Sequence, residues 1–260
     1  MNPSFHLSAD HVNGPDLLVC RPLEERGVPH GFSLRLRHYR STDSPQPYGL
    51  PENADRDVEE VAIRLGSKHP IRMNQVHGAK LVVSSEPSAE APICDGLFTR
   101  SDRLALVVQT ADCVPLLMWD AEHNVVAAVH AGWRGTLERI TTKAIELFQY
   151  RFSSHPESIY VSMGPAIGPC CYEVGDEVVQ AYARRFRSAE KYFSTGPRGT
   201  RHLDVIEANR HQLVDSGISP DRIFSTGLCT SCDNSLAYSY RKEGKGTGRL
   251  YGAISVARGE

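Results

Sequence analysis

Three residues stand out for the chemistry their types allow: Cys113 in TADCVPLL, His130 in AVHAGWRGT and His77 in NQVHG. A thiolate and two imidazoles make a three-donor set suited to a borderline-soft metal ion, with a fourth position left for water. Cys113 and His130 alone also match a nucleophile and its base, as in a metal-free cysteine hydrolase or amidase acting on a peptide or cell-wall precursor. Spacing does not choose between these readings, because the three residues form no compact signature such as HExxH. Their neighbours add weight. Asp112 precedes the cysteine, glycines lie beside both histidines, and Arg134 follows His130 by four positions.

The surrounding elements must bring these groups together. VPLLMWD (114–120) and NVVAAVH (124–130) read as strands, and DAEHN (120–124) as the hairpin connection between them. Antiparallel pairing then puts Cys113 and His130 at the same end of a sheet, where loops on a rigid scaffold carry function. His77, in a loop after apolar residues, is the natural third donor. Gly132 and Gly135 let the backbone turn closely after His130. Arg134 and the N–H groups opening the next helix are suited to phosphate or another anion, a surface ion pair being the alternative for Arg134, and Arg241 in SYRKEG is placed to share that duty.

Further strands are expected at 17–22, 29–36, 80–85, 103–110 and 158–164, and helices at 55–66, 136–152, 175–187 and 204–216. STDSPQPYGLPEN (41–53) is the one long loop. This order predicts an α+β fold with an antiparallel or mixed sheet and helices outside, in one domain over residues 1–260.

Lysine plus arginine (29) nearly balance aspartate plus glutamate (31), so no global field points to nucleic acid or to a membrane surface. The first residues lack the order of a secretory signal and no apolar run is long enough to span a bilayer, which predicts a soluble, cytoplasmic protein. Nothing demands an obligate assembly, so a monomer or weak homo-oligomer is expected. Seven cysteines without an export signal predict reduced thiols. CTSC (229–232) has the spacing of a redox pair or of half a zinc site, but with no second such pair it reads as structural or incidental thiols rather than a redox centre. Cys170 and Cys171 read as half-buried loop packing.

NQVHG, DGLFT (95–99), TADCVPLL, AAVHAGWRGT, GPAIGPCCYEVG (164–175), LDVIEAN (203–209) and SYRKEGKGTGR (239–249), in this order, resemble the family called multicopper polyphenol oxidase or laccase-domain proteins, now regarded as purine nucleoside phosphorylases. The resemblance covers about residues 72–256 and is weaker over residues 1–70. Carried over by position, it implies zinc ligands at His77, Cys113 and His130, with zinc the expected cofactor and copper the alternative. It also implies a layered α/β sandwich shared with cytotoxic deamidases that use a cysteine–histidine pair. The implied substrates are phosphate and a purine nucleoside (adenosine, inosine, guanosine or methylthioadenosine), with hydrolytic deamination of adenosine in the same site. Zinc lowers the pKa of bound water to roughly 7, which suits deamination. Asp95 and Asp112 are the acidic candidates by motif for the departing purine, with Asp112 alternatively a partner orienting a histidine. Copper oxidase chemistry is disfavoured, since no His-x-His pair occurs. In the N-terminal part, SLRLRHYRSTDSPQPYGL (33–50) keeps an arginine, Arg35, but lacks the family's paired glycines.

Overall fold

Alternation along the apolar strands decides the architecture. A computed structural model describes residues 2–8, 17–35, 54–66, 69–88 and 90–257. Within it two six-stranded mixed sheets lie face to face. The first has the order β1 (Phe5–Leu7), β2 (Leu17–Cys20), β3 (His30–Ser33), β15 (Leu250–Ile254), β7 (Leu104–Thr110), β4 (His69–Arg72). The second runs β14 (Ile223–Ser225), β10 (Ile159–Met163), β8 (Val114–Asp120), β9 (Val125–Ala131), β6 (Gly96–Thr99), β5 (Leu81–Val83). A small antiparallel sheet joins β11 (Glu173–Val174), β13 (Arg201–Leu203) and β12 (Phe193–Thr195).

Both faces of β8 and β9 are buried, and successive side chains go to different cores. Leu117, Trp119, Val126 and Ala128 meet Phe32, Leu106 and Val108 between the sheets. Val114, Leu116, Met118, Val125, Ala127 and Val129 face the other way, onto Ile140, Ile145, Phe148 and Leu213. Those four belong to α4 (Ile140–Phe152) and α6 (Val205–Asp215), with α5 (Asp176–Arg185) between them in sequence. On the far side of the first sheet, Val58 and Val61 of α2 (Ala54–Arg64) pack on Leu17, Val107 and Tyr251. The result is a helix–sheet–sheet–helix sandwich of α+β class, each fully buried Leu or Phe contributing about 1.5–3 kcal/mol. Among the described residues no helix is long and apolar enough to cross a membrane.

The expected strands and helices near the site are present, with three differences. The stretch 17–22 stops being a strand at Cys20, because Pro22 favours the first turn of α1 (Arg21–Glu24). The helix expected over 136–152 is two: α3 (Trp133–Leu137) and α4, separated by Arg139 at φ 61°. Gln212 Nε2 donates to the Thr136 carbonyl at 2.8 Å, and Asn209 Nδ2 to Thr136 Oγ1 at 2.9 Å. Side chains of α6 thus take the carbonyl that a continuous helix would use four residues later. Finally, β15 sits at the centre of the first sheet although LYGAI carries no strand pattern long enough to predict it. Gly252 interrupts its pattern, and a Cβ there would meet Phe32 and Val108 side chains at 3.0 Å. The loop expected at 41–53 lies outside the described residues, as does most of segment 33–50.

Candidate metal centre and substrate pocket

The β8–β9 hairpin delivers the predicted juxtaposition. Its register pairs Val114 with Ala131 and Pro115 with His130, so Cys113 falls one step beyond the ladder, opposite Gly132. Asp120 caps the turn by accepting from Glu122 N–H at 3.0 Å and contacting His123 Nδ1 at 2.8 Å, and Asn124 takes the left-handed conformation (φ 49°). His77 arrives from the loop after β4. The donor atoms of His77, Cys113 and His130 all lie within 4.8 Å of one another, and the two imidazoles meet edge to face at 4.8 Å between centroids. Donors bound to one zinc each lie about 2.0–2.3 Å from it, which this grouping accommodates. Exposure is graded across the trio: His130 is buried, Cys113 half-buried and His77 exposed, so the cluster opens to solvent on one side.

Asp95, fully buried, organises the cluster from behind. The β6–β9 register puts it beside His130, whose backbone N–H donates to its carbonyl at 2.8 Å. Its Oδ1 contacts His130 Nδ1 at 2.9 Å and accepts from His77 N–H at 2.9 Å, while Oδ2 accepts from Gly78 N–H at 2.8 Å. Those bonds hold His77 in a left-handed conformation (φ 59°) and fix the ring of His130 so that Nε2 is the nitrogen left for the cluster. Burial raises the Asp95 pKa, but the hydrogen bonds from His130, Gly78 and His77 outweigh it, and the net shift is downward. Both oxygens accept from these donors. The partner orienting a histidine is therefore Asp95, and Asp112 serves otherwise: it accepts from Thr230 Oγ1 at 2.6 Å and from Arg241 N–H at 2.7 Å, tying down the segment after β14.

The cluster carries its own charge logic. Burial alone would push the Cys113 thiol up, yet hydrogen bonds and charge from His130 and His77 bring it down to about 6. Burial likewise disfavours a charged His130, yet Asp95 and Cys113 raise it to about 9. Without metal the pair favours thiolate and imidazolium; a metal would bind the thiolate directly and displace the proton from His130 Nε2.

The glycines have steric jobs. A Cβ on Gly132 would lie 3.0 Å from Cys113 Sγ and 3.3 Å from His77 Cδ2, so glycine leaves the donors room to converge. On Gly135 it would lie 2.7 Å from the Gly78 carbonyl; this buried residue lets α3 seat against the His77 loop and does not line the pocket. Above the cluster is a pocket of about 640 Å³, within the range of small-molecule sites. Arg134, stacked on Trp133 at 4.2 Å, and Arg241, over Tyr172 at 5.1 Å, both line it. Arg35 does not; it pairs with Glu243 and lies over Tyr238 at 4.7 Å. Two lining residues that sequence reasoning did not single out are Tyr172 and Arg249. Both lie inside the motifs GPAIGPCCYEVG and SYRKEGKGTGR, but nothing in their spacing marks them as facing a cavity.

One expectation is overturned. Cys170, Cys171, Cys229 and Cys232 are not separate packing thiols: their four sulfurs also lie within 4.8 Å of one another. The adjacent Cys170–Cys171 pair completes CTSC. No second CxxC spacing signals it, because the pairing is made by two loops distant in sequence.

A model of the multi-copper polyphenol oxidoreductase laccase family matches residues 44–257. The chain belongs to this family. Among curated relatives of this laccase-family chain, purine nucleoside phosphorylase YlmD of Geobacillus stearothermophilus is 38% identical over 191 residues, 69% of each chain. Adenosine deaminase RL5, from an unknown prokaryotic organism, is 37% identical over 161 residues, 62% of this chain and 61% of its own. The crystal structure of the Bacillus licheniformis protein YfiH superposes with a TM-score of 0.83 at 27% identity, covering 98% of this chain and all of that one.

Proposed function

We propose that this laccase-family protein is a zinc-dependent purine nucleoside phosphorylase that also deaminates adenosine. Adenosine, inosine, guanosine and methylthioadenosine are its proposed substrates. It is expected to act in the cytoplasm as a monomer or weak homo-oligomer. The observation that carries this reading is the convergence of His77, Cys113 and His130 at the floor of a nucleoside-sized pocket lined by three arginines. The donor set fits zinc: one sulfur held towards thiolate, two imidazoles, and three donors rather than four. When bound, zinc supplies Lewis acidity and acidifies water at its open position. Copper is the competing occupant. The names of the phosphorylase and deaminase relatives support both activities and do not favour the amidase reading of Cys113 and His130.

The chain's own groups then divide the work. Arg134, Arg241 and Arg249 supply positive charge for phosphate, with Arg134 and Arg241 stiffened by stacking on Trp133 and Tyr172. Tyr172 offers an aromatic face to a purine. Asp95 holds His130 and the His77 loop, and Asp112 positions Arg241 through its backbone.

Incubating the zinc-loaded protein with a nucleoside panel, with and without phosphate, tests this reading. Free base plus ribose 1-phosphate is expected with phosphate, and inosine from adenosine without it. Turnover of no nucleoside, with an amide substrate leaving a covalent adduct on Cys113, overturns it. In Arg134→Ala the apparent phosphate affinity should drop about ten- to a hundredfold, the worth of one charge-assisted hydrogen bond, while deamination changes much less.

A further inference from the structure

The four-cysteine cluster lies outside the site just described and has a different construction. β10 pairs parallel with β14, so the segments that follow them leave the same end of the second sheet. Their pairing continues beyond the strands: Ala166 bridges Cys229, Ala166 N–H donates to Leu228 O at 3.3 Å, and Thr230 N–H to Ala166 O at 3.1 Å. Cys170 and Cys171 come from the first segment and Cys229 and Cys232 from the second. Cys232 Sγ lies 3.5 Å from Cys170 Sγ and 3.4 Å from Cys171 Sγ.

These separations suit one ion. A disulfide needs sulfurs about 2.05 Å apart, and all four cysteines are free. Four thiolates at about 2.3 Å from a central zinc form a tetrahedron with edges of about 3.8 Å. Clusters with bridging sulfide spread their cysteines farther apart than the direct ligands of a single ion. The backbone is shaped for the same purpose. Gly168 N–H donates to Cys229 Sγ at 3.3 Å, and a Cβ on Gly168 would lie 3.3 Å from Cys170 Sγ. Cys170 and Cys232 are exposed, so apolar burial does not account for gathering these thiols.

We propose that Cys170, Cys171, Cys229 and Cys232 bind a structural zinc ion that clips together the two loops walling the nucleoside pocket. Four sulfur donors and no open position mark a closed, structural site, in contrast to the three-donor cluster at His77. The clip reaches the pocket by short routes. Cys171 is followed by Tyr172, and Thr230, between the other two cysteines, donates to Asp112.

Metal analysis of the full-length protein, purified under reducing conditions with zinc, tests the proposal. The variant Cys113→Ala should retain one equivalent of zinc whether or not the His77 cluster binds metal. Replacing that zinc with cobalt should give intense thiolate-to-metal charge transfer and strong tetrahedral d–d bands. The double variant Cys229→Ser/Cys232→Ser should lose this equivalent and the thiolate spectrum together. If the double variant does not fold, the cobalt spectrum of Cys113→Ala decides alone. Zinc-free Cys113→Ala, a cobalt spectrum without thiolate charge transfer, or an iron–sulfur spectrum would each overturn the proposal. So would a native disulfide among the four cysteines.

Discussion

The two sulfur-containing clusters differ in what holds them. His130 and Cys113 are fixed by a seven-residue strand pair whose both faces are buried, and Asp95 braces His130 from the neighbouring strand. The four cysteines sit on loops joined by an isolated bridge, by hydrogen bonds that include those Asp112 accepts from Ile167 N–H and Thr230 Oγ1, and by the thiol contacts. The first cluster is preorganised by the fold and can keep an open position, as catalysis needs. The second is complete in donors and stands on loops rather than on paired strands, as suits a metal that helps hold its own ligands in place.

The largest effect that would break this contrast is at Cys113. Cys113→Ala should cut phosphorolysis by about a thousandfold, since a metal worth several kcal/mol of transition-state stabilisation is lost, while thermal unfolding barely moves. A large fall in Tm with retained activity would reverse the roles assigned to the two clusters. Asp95→Asn should follow. It removes the carboxylate behind His130 and should weaken zinc at the His77 cluster about ten- to a hundredfold, measured by competition with a chromophoric chelator, leaving the four-cysteine zinc in place.

The smallest effect concerns a second buried histidine, which sharpens the role of Asp95. His30 Nδ1 contacts the Val28 carbonyl at 2.8 Å, and its Nε2 accepts from Cys20 N–H at 3.0 Å. Burial lowers its pKa to about 4 from 6.5, whereas His130, with Asp95 and Cys113 beside it, is raised. The unfolded chain protonates His30 near its ordinary pKa and the folded chain does not. Its contribution to stability is therefore full above 6.5 and is lost as pH falls towards 4, about 3 kcal/mol in all. Urea unfolding across that window should show this loss, and His30→Gln should flatten it.

The strand-borne cluster was legible in the sequence because a hairpin fixes which residues share an end: DAEHN and the two apolar runs it joins suffice to bring Cys113 to His130. The α+β class was legible in the order of strands and helices, while the layered sandwich followed only from the family resemblance. Asp95 was visible in DGLFT but not its role, because the β6–β9 register that sets it against His130 joins segments with no local signal. The four-cysteine cluster was half visible: CTSC has the spacing of half a zinc site, but its meeting with Cys170 and Cys171 depends on the parallel pairing of β10 with β14. Gly252 concealed β15, since the close contact with Phe32 and Val108 that requires glycine exists only after the sheets pack.

The central claim, that the His77–Cys113–His130 cluster is a metal-dependent nucleoside site, is tested most directly by titrating zinc into metal-free protein with inosine and phosphate present. Ribose 1-phosphate formation should be absent at the start and rise with zinc, and the same titration of Cys113→Ala should stay flat. Full-rate phosphorolysis by the metal-free protein, or by Cys113→Ala, would contradict the account.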